Sequence, residues 1–298
     1  MDTYVIGHKN PDTDSVASAI AAAKLMGHKP AVFGAVNRET AFVLEKLGIP
    51  APEALASIAG KKVFLVDHNE NTQMADGWET AEIIGVLDHH KINFSSAAPV
   101  FFHAETLGST STIIAKTYME LIKRDAKIAG LLLAGILSDT VIFKSPTTAE
   151  EDKTIAGELA KIAGIEDAVK FGVEIKTAGA DIAGRSVGDI VHADFKDFDM
   201  NGKKVGVGQI ELPDITVLKN MEPEIVACLA EKKGEGYELA MLAVTDIMAE
   251  GSKLLFAGDP EVIKKAFGVT PEGSGAYVPG LISRKKQIIP PLEGIYRQ

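Results

Sequence analysis

The chain has 298 residues, of which 46% are hydrophobic and 24% charged, with a formal net charge of −10. That content can bury one large core or two moderate ones, which excludes a disordered chain, and the length favours two domains. The acidic balance supplies no general field for a polyanion, so nucleic acid is not an expected partner, although a local basic cluster can still hold phosphate.

From the N-terminus, TYVI (3–6), AVF (31–33), KVFLV (62–66) and EIIGVL (82–87) read as strands. Between the first two, DSVASAIAAAKLMG predicts a helix that Asp14 or Ser15 can cap and Gly27 can end. Between the next two, RETAFVLEKLG spaces Phe42, Leu44 and Leu47 helically and again stops at glycine. The repetition predicts an α/β fold with an N-terminal doubly wound, mainly parallel sheet. From Ser109 to Gly164 the pattern is mostly helical. Its most apolar stretch, Ala129 to Ser138, is about half the ~20 residues that a membrane span requires, so a buried helix is expected and no membrane partner.

Residues 176–189 are rich in glycine and alanine without a sustained period, and the junction is placed there. This divides the chain into a first domain at 1–180, a linker at 181–186 and a smaller C-terminal α/β domain at 187–298. The second domain begins with a strand at VGVGQIE (205–211), continues as an amphipathic helix at 218–234, and adds a strand at ELAMLAVTDIM (238–248). The single cysteine, Cys228, excludes an internal disulfide framework. The start MDTYVIG has neither a basic region nor a cleavable apolar stretch, so a cytoplasmic protein is expected.

Chemistry collects where the strands end. GHKNPDTDS places His8, Asp12 and Asp14 after the first strand, VDHN places Asp67 and His68 after the third, and LDHH places Asp88, His89 and His90 after the fourth. Carboxyl ends of parallel strands share one edge, so these turns should converge. Asp139 closes the apolar helix in GILSDT and is costly to bury without a cation or a proton. Each piece alone has a plainer reading: a turn and helix cap for NPDTD, a polar loop for His89 and His90, an amide-bonded helix end for Asp139. Coincidence at three strand ends is harder to accept. Imidazole mixed with carboxylate suits divalent Mn, Co, Fe or Zn, while a thiolate-rich zinc site is excluded. The groups exceed the need of one cation, and two neighbouring metals are the usual means of attack on phosphorus. LGSTST (107–112) reads as a helix N-cap, with amides directed at a phosphate as the alternative.

Together, GHKNPDTDS, VDHNE, DHH, the SDT helix and the late SRKKQ resemble the family II, manganese-dependent inorganic pyrophosphatases of the DHH phosphoesterase superfamily, in the same order and over nearly the whole chain. The resemblance implies hydrolysis of pyrophosphate to two orthophosphates by a metal-bridged hydroxide. The site would lie between a DHH-type first domain and a DHHA2-like second one. On matching positions it implies His8, Asp12 and Asp67 at one metal and Asp14, Asp67, His89 and Asp139 at the other, with Asp67 as the bridge. His90 would contact phosphate, Arg284 and Lys285 of SRKKQ would clamp it, and Lys196 of DFKDF would add a further phosphate contact. The implied cofactors are two Mn2+ or Co2+ per subunit, with Mg2+ or Mn2+ accompanying the substrate, and the implied assembly is a homodimer.

Two other readings stay open. A short-chain exopolyphosphatase or phosphodiesterase of the same superfamily would use the same ligands on a longer substrate, but the second domain lacks a GGGH run. A non-catalytic, metal-dependent phosphate or nucleotide sensor would make little use of a full ligand set together with a clamp.

Overall fold

In the computed structural model of the chain, the described residues are 2–180, 182, 184–192 and 194–297, without the side chain of Lys285. Part of the expected linker and the Lys285 side chain expected to clamp phosphate therefore lie outside the described residues. The chain divides into two compact units, Met1–Gly179 and Ala180–Gln298.

The first unit runs β1 (Thr3–Ile6), α1 (Thr13–Met26), β2 (Lys29–Phe33), α2 (Arg38–Leu47), β3 (Glu53–Leu55), β4 (Lys62–Val66), β5 (Glu82–Asp88), β6 (Phe101–Ala104), α3 (Thr110–Ile122), α4 (Ala126–Asp139), α5 (Glu150–Ala163) and α6 (Ala168–Gly179). Its six strands are all parallel, in the order β3-β2-β1-β4-β5-β6. The order reverses between β1 and β4, and a crevice forms at such a switch point beyond the carboxyl ends. Central strands of this kind are covered on both faces, which explains the uninterrupted burial of Val63 to Val66. The apolar stretch within α4 is buried from Ile128 to Ser138, as expected of a core helix. Among the described residues no helix is long and apolar enough to cross a membrane.

Several local expectations change. Asp12, not Asp14 or Ser15, caps α1, its carboxylate accepting from the Ser15 N–H at 2.9 Å. Asp14 sits inside the first turn, where its side chain is released for another use. Strands β3 and β6 escaped the sequence reading because they are short and lie at the sheet edges, where no core face imposes a pattern. Helix α6 continues to Gly179, into the stretch read as the junction, because Phe171 and Ile175 bury one of its faces.

The second unit contains α7 (Val187–His192), β7 (Phe195–Met200), β8 (Lys203–Leu212), α8 (Glu222–Gly234), β9 (Leu239–Asp246), β10 (Gly251–Ala257), α9 (Pro260–Phe267), β11 (Gly275–Pro279) and α10 (Ile289–Tyr296). Its sheet is mixed, ordered β11-β10-β9-β8-β7, with only β8 and β9 parallel. The helix expected at 218–234 is divided. A 3-10 segment covers Ile215–Met221 and the α-helix starts at Glu222 with Pro223 in its first turn, where a missing N–H does no harm.

One buried carboxylate joins two helix starts in the first unit. Asp152 accepts from Thr112 Oγ1 at 2.6 Å, the Ala149 N–H at 2.7 Å and the Gly108 N–H at 2.8 Å. Asp152→Ala removes the acceptor of three donors, leaving the buried Gly108 N–H without a partner, and should destabilise the protein by about 3 kcal/mol. Urea unfolding of the metal-free variant reads this directly, and a loss below about 0.5 kcal/mol, the range of an ordinary surface change, would remove Asp152 from that role.

Candidate metal centre

Three polypeptide turns and one helix end supply the donors. The loop after β1 carries His8 and the N-cap Asp12, the turn after β4 carries Asp67, and His89 and His90 follow β5. Asp139 is the last residue of α4. Potential ligand atoms converge in three overlapping groups: His8, Asp12 and Asp67; Asp14, His89 and Asp139; and Asp67, His89 and His90. All six residues expected to hold metal, and His90 with them, therefore meet at the carboxyl edge of one sheet.

Close approach is built into the backbone. A Cβ at Gly7 would collide with the Ser15 side chain, whose Oγ accepts the His8 N–H at 3.1 Å. A Cβ at Gly135 would collide with Ser111 and press on the Asp14 carboxylate, so glycine lets α4 reach them. Asp67 adopts a left-handed conformation with φ of 62° and donates its N–H to Leu87 O at 3.0 Å. Aspartate tolerates this region better than bulkier residues do. Beyond Asp139, Val141, Ile142 and Phe143 have φ of 49°, 54° and 65°. Such values strain the two β-branched residues, and the turn persists because Ile142 N–H bonds Leu137 O and Ser145 N–H bonds Thr140 O, both at 2.8 Å.

Asp67 faces two histidines with its two oxygens. Oδ2 lies 3.5 Å from His8 Nε2, and Oδ1 lies 3.4 Å from His89 Nε2. Thr110 Oγ1 also donates to Oδ1 at 3.0 Å, a contact that sequence reasoning missed. His89 donates from Nδ1 to Leu107 O at 2.9 Å, which leaves Nε2 as the site-facing nitrogen. That Nε2 is buried 3.1 Å from Asp139 Oδ2, yet it makes no hydrogen bond, since neither neighbouring carboxylate has the required direction. An orphaned imidazole nitrogen converging with two carboxylates fits a divalent cation.

The motif LGSTST serves this cluster in an unexpected way. Ser109 caps α3, as anticipated, by accepting from the Thr112 N–H at 3.1 Å. The next amides of the helix start do not wait for a phosphate: Thr110 N–H and Ser111 N–H donate to the Asp14 carboxylate at 2.7 and 3.0 Å. On the other side, Glu39 accepts from Thr13 Oγ1 at 2.8 Å, from Lys176 Nζ at 3.2 Å and from Ser138 Oγ, tying α1, α6 and the end of α4 together.

These contacts set the charges of the metal-free protein. Burial opposes the charged form of His89, but the Asp139 and Asp67 carboxylates outweigh it and raise its pKa to about 12. His8 is raised to about 10 against the same burial, by Asp12 and Asp67. Burial, with Asp67 and Asp139 nearby, pushes Asp14 well up, whereas His8 and His89 overcome burial to hold Asp67 low. His68 differs: burial lowers it to about 4, and with Nδ1 bonded to Val66 O at 2.9 Å it is a neutral ring. Because the folded values of His8 and His89 are raised, their stabilisation is full below the ordinary value of 6.5 and is lost as pH rises through about 10 and about 12. A cation must displace those protons, so Mn2+ binding should release protons and tighten by up to about tenfold per pH unit for each one. Calorimetry in buffers of different ionisation heat measures the release, and an affinity constant from neutral to alkaline pH would refute it.

Beside the cluster opens a cleft of about 580 Å3, lined by His8, Asp67, His68, Asn69, His90 and Lys91 among others. A larger cleft of about 930 Å3, against Glu222, Lys253 and Tyr277 in the second unit, has no comparable donor set. The expected phosphate-binding cations Lys196 and Arg284 both belong to the second unit and lie beside one carboxylate, Asp194.

Residues 2–136 match the model of the DHH family, N-terminal domain, and residues 173–295 match that of the DHHA2 domain. The chain is 46% identical to a manganese-dependent inorganic pyrophosphatase of Methanocaldococcus jannaschii, covering 98% of this chain and 99% of that protein. It is 44% identical to a protein of the same description from Methanothrix thermoacetophila, covering 99% and 98%. A solved Methanococcus jannaschii structure, assigned to family II inorganic pyrophosphatases, superposes with a TM-score of 0.62 at 45% identity, covering 99% of this chain and all of that one. An exopolyphosphatase-related protein of Bacteroides fragilis shares the fold, with a TM-score of 0.50 at 13% identity.

Proposed function

The chain belongs to the family of manganese-dependent inorganic pyrophosphatases, and from that premise we propose how its residues hydrolyse pyrophosphate to two orthophosphates. His8, Asp12 and Asp67 hold one Mn2+, and Asp14, Asp67, His89 and Asp139 hold the other. The observation that carries this reading is the placement of His8 and His89 against opposite oxygens of Asp67. When bound, the cations acidify the attacking water and supply positive charge for developing phosphate oxygens.

The protein groups do the rest of the work. Leu107 O fixes the tautomer of His89, and the Thr110 and Ser111 amides hold Asp14 in its buried position. His90 keeps Nδ1 on Asp88, which leaves its Nε2–H to donate to a phosphate oxygen. Arg284, Lys285 and Lys196 of the second unit clamp the same substrate. Fixed donors of this kind act because they need no reorganisation when charge develops. The proposal extends to Co2+ as an alternative metal, to Mg2+ or Mn2+ entering with the substrate, and to a cytoplasmic homodimer, which sedimentation of the purified protein tests.

Phosphate release should be rapid with pyrophosphate and at least about a hundredfold slower with tripolyphosphate, cyclic dinucleotides or short oligonucleotides. Hydrolysis in 18O-water should place one solvent oxygen in the two products, and no phosphoenzyme should be trapped, because among the described residues no side chain is set up as a covalent nucleophile. Faster release from tripolyphosphate, or a trapped phosphoenzyme, would overturn the respective part.

A further inference from the structure

The basic motif near the C-terminus is shaped by its own polar residues. Ser283 accepts the Lys286 N–H at 3.3 Å, while Gln287 Oε1 accepts the N–H groups of Ile282 and Ser283 at 3.0 and 2.9 Å. Gln209 Oε1 accepts the Arg284 N–H at 3.3 Å. The backbone from Ile282 to Lys286 is thus held, and the Arg284 side chain departs from a defined point.

Its guanidinium is held as well. Nη1 donates to two main-chain oxygens, Asp194 O at 2.6 Å and Val207 O at 3.2 Å. Nη2 lies 3.1 and 2.9 Å from the two carboxylate oxygens of Asp194. The side chain is only 11% exposed, against 50% for Asp194. Lys196 Nζ approaches the same carboxylate at 3.8 Å. One acidic residue therefore touches both cations that the sequence assigns to phosphate from the described side chains.

An arginine has two edges that can each grip an oxyanion, one formed by Nη1 and Nη2 and the other by Nε and Nη2. Asp194 and Val207 occupy the first. Nε makes no hydrogen bond among the described residues, and Nη2 has a second N–H, so the other edge is the one a phosphate can use. Resting on the clamp proposed above, we infer that Asp194 is a positioning residue that fixes Arg284 by its end-on edge and presents the side-on edge to a phosphate of the substrate.

The competing idea is that Asp194 acts as a surrogate phosphate that the substrate must displace. The geometry favours positioning, because two of the contacts to Arg284 are main-chain carbonyls on β8 and just before β7, which an incoming phosphate would not replace.

The test uses the manganese-loaded full chain as wild type, Asp194→Ala, Asp194→Asn, Arg284→Ala and the double variant Asp194→Ala/Arg284→Ala. Steady-state kinetics with pyrophosphate is combined with calorimetric binding of imidodiphosphate and with manganese affinity. Asp194→Ala should raise KM and weaken imidodiphosphate about tenfold at unchanged manganese affinity. Asp194→Asn, which keeps an acceptor oxygen but no charge, should fall between. In the Arg284→Ala background the same substitution should change either quantity by less than about twofold, since the cycle isolates the pair. A lower KM in Asp194→Ala would make the carboxylate a competitor and overturn the inference. So would an equal loss in both backgrounds, which is what a general effect on the fold predicts. Impairment in Arg284→Ala without impairment in Asp194→Ala overturns this inference alone, whereas unchanged kinetics in Arg284→Ala overturns the clamp itself.

Discussion

Asp67→Asn is expected to lose tight binding of both manganese ions at once and to lower kcat/KM by roughly 10^4-fold. Asparagine is the informative replacement because it tolerates the left-handed backbone at φ of 62°, which alanine would strain. It also keeps the size of the side chain and one oxygen for Thr110 Oγ1. What disappears is the charge shared by His8 on one side and His89 on the other. A ligand of only one ion could be removed with damage confined to that ion, as expected for Asp12→Asn. The bridge cannot, because Asp12 and Asp139, the other carboxylates beside these two histidines, each pair with one of them only. Metal content after gel filtration and manganese titration of the metal-free protein separate the cases. Two ions retained at wild-type affinity would remove Asp67 from the bridging position.

The parts of this centre that could be read from sequence are those where chemistry follows directly on an apolar run. His8, Asp67 and His89 come within two residues of the ends of β1, β4 and β5, and parallel pairing brings those ends together. Asp139 was legible for a related reason, as an acid closing a helix too apolar to be exposed. Contacts that depend on distant chain segments were not legible. Asp14 resembles a helix cap by its neighbours, yet its true partners are amides at Thr110 and Ser111, in another helix. Asn69 offers no signal in VDHNE, but it bonds Asp88, Lys91 and Asn93 and so organises the turn that carries His90. The grouping of Lys196 with Arg284 was equally hidden, since it arises only when β7 pairs with β8, with Lys196 opposite Val207, and Asp194 meets the guanidinium that Val207 O also holds. Pattern reading finds groups that a strand delivers; it misses groups whose role is set by what the fold later lays against them.

The arrangement around His90 gives the second large expected effect, a loss of about 10^2-fold in kcat/KM for His90→Gln, the size typical of one fixed donor to a developing oxyanion. Asp88 is fully buried and accepts from the His90 N–H at 3.1 Å and from His90 Nδ1 at 2.9 Å, while Asn69 Nδ2 secures its other oxygen at 2.6 Å. The carboxylate raises the His90 pKa above its ordinary value of 6.5, against partial burial and the nearby charge of His89. His90 and Asn69 in turn keep Asp88 low despite burial. The ring is therefore an imidazolium over a wider pH range than a free histidine, and its Nε2–H remains a donor. If that form binds phosphate, kcat/KM must fall on the alkaline side as pH rises through the raised pKa. Asp88→Asn withdraws the carboxylate, so the alkaline limb should move to lower pH, while His90→Gln should abolish that limb and keep manganese affinity within about threefold, since no ligand to the ions is removed. The comparison requires pH profiles of the manganese-loaded wild type and both variants. Superimposable alkaline limbs in all three would show that the proton on His90 takes no part, and a large loss of manganese in His90→Gln would make the residue a ligand instead of a phosphate contact.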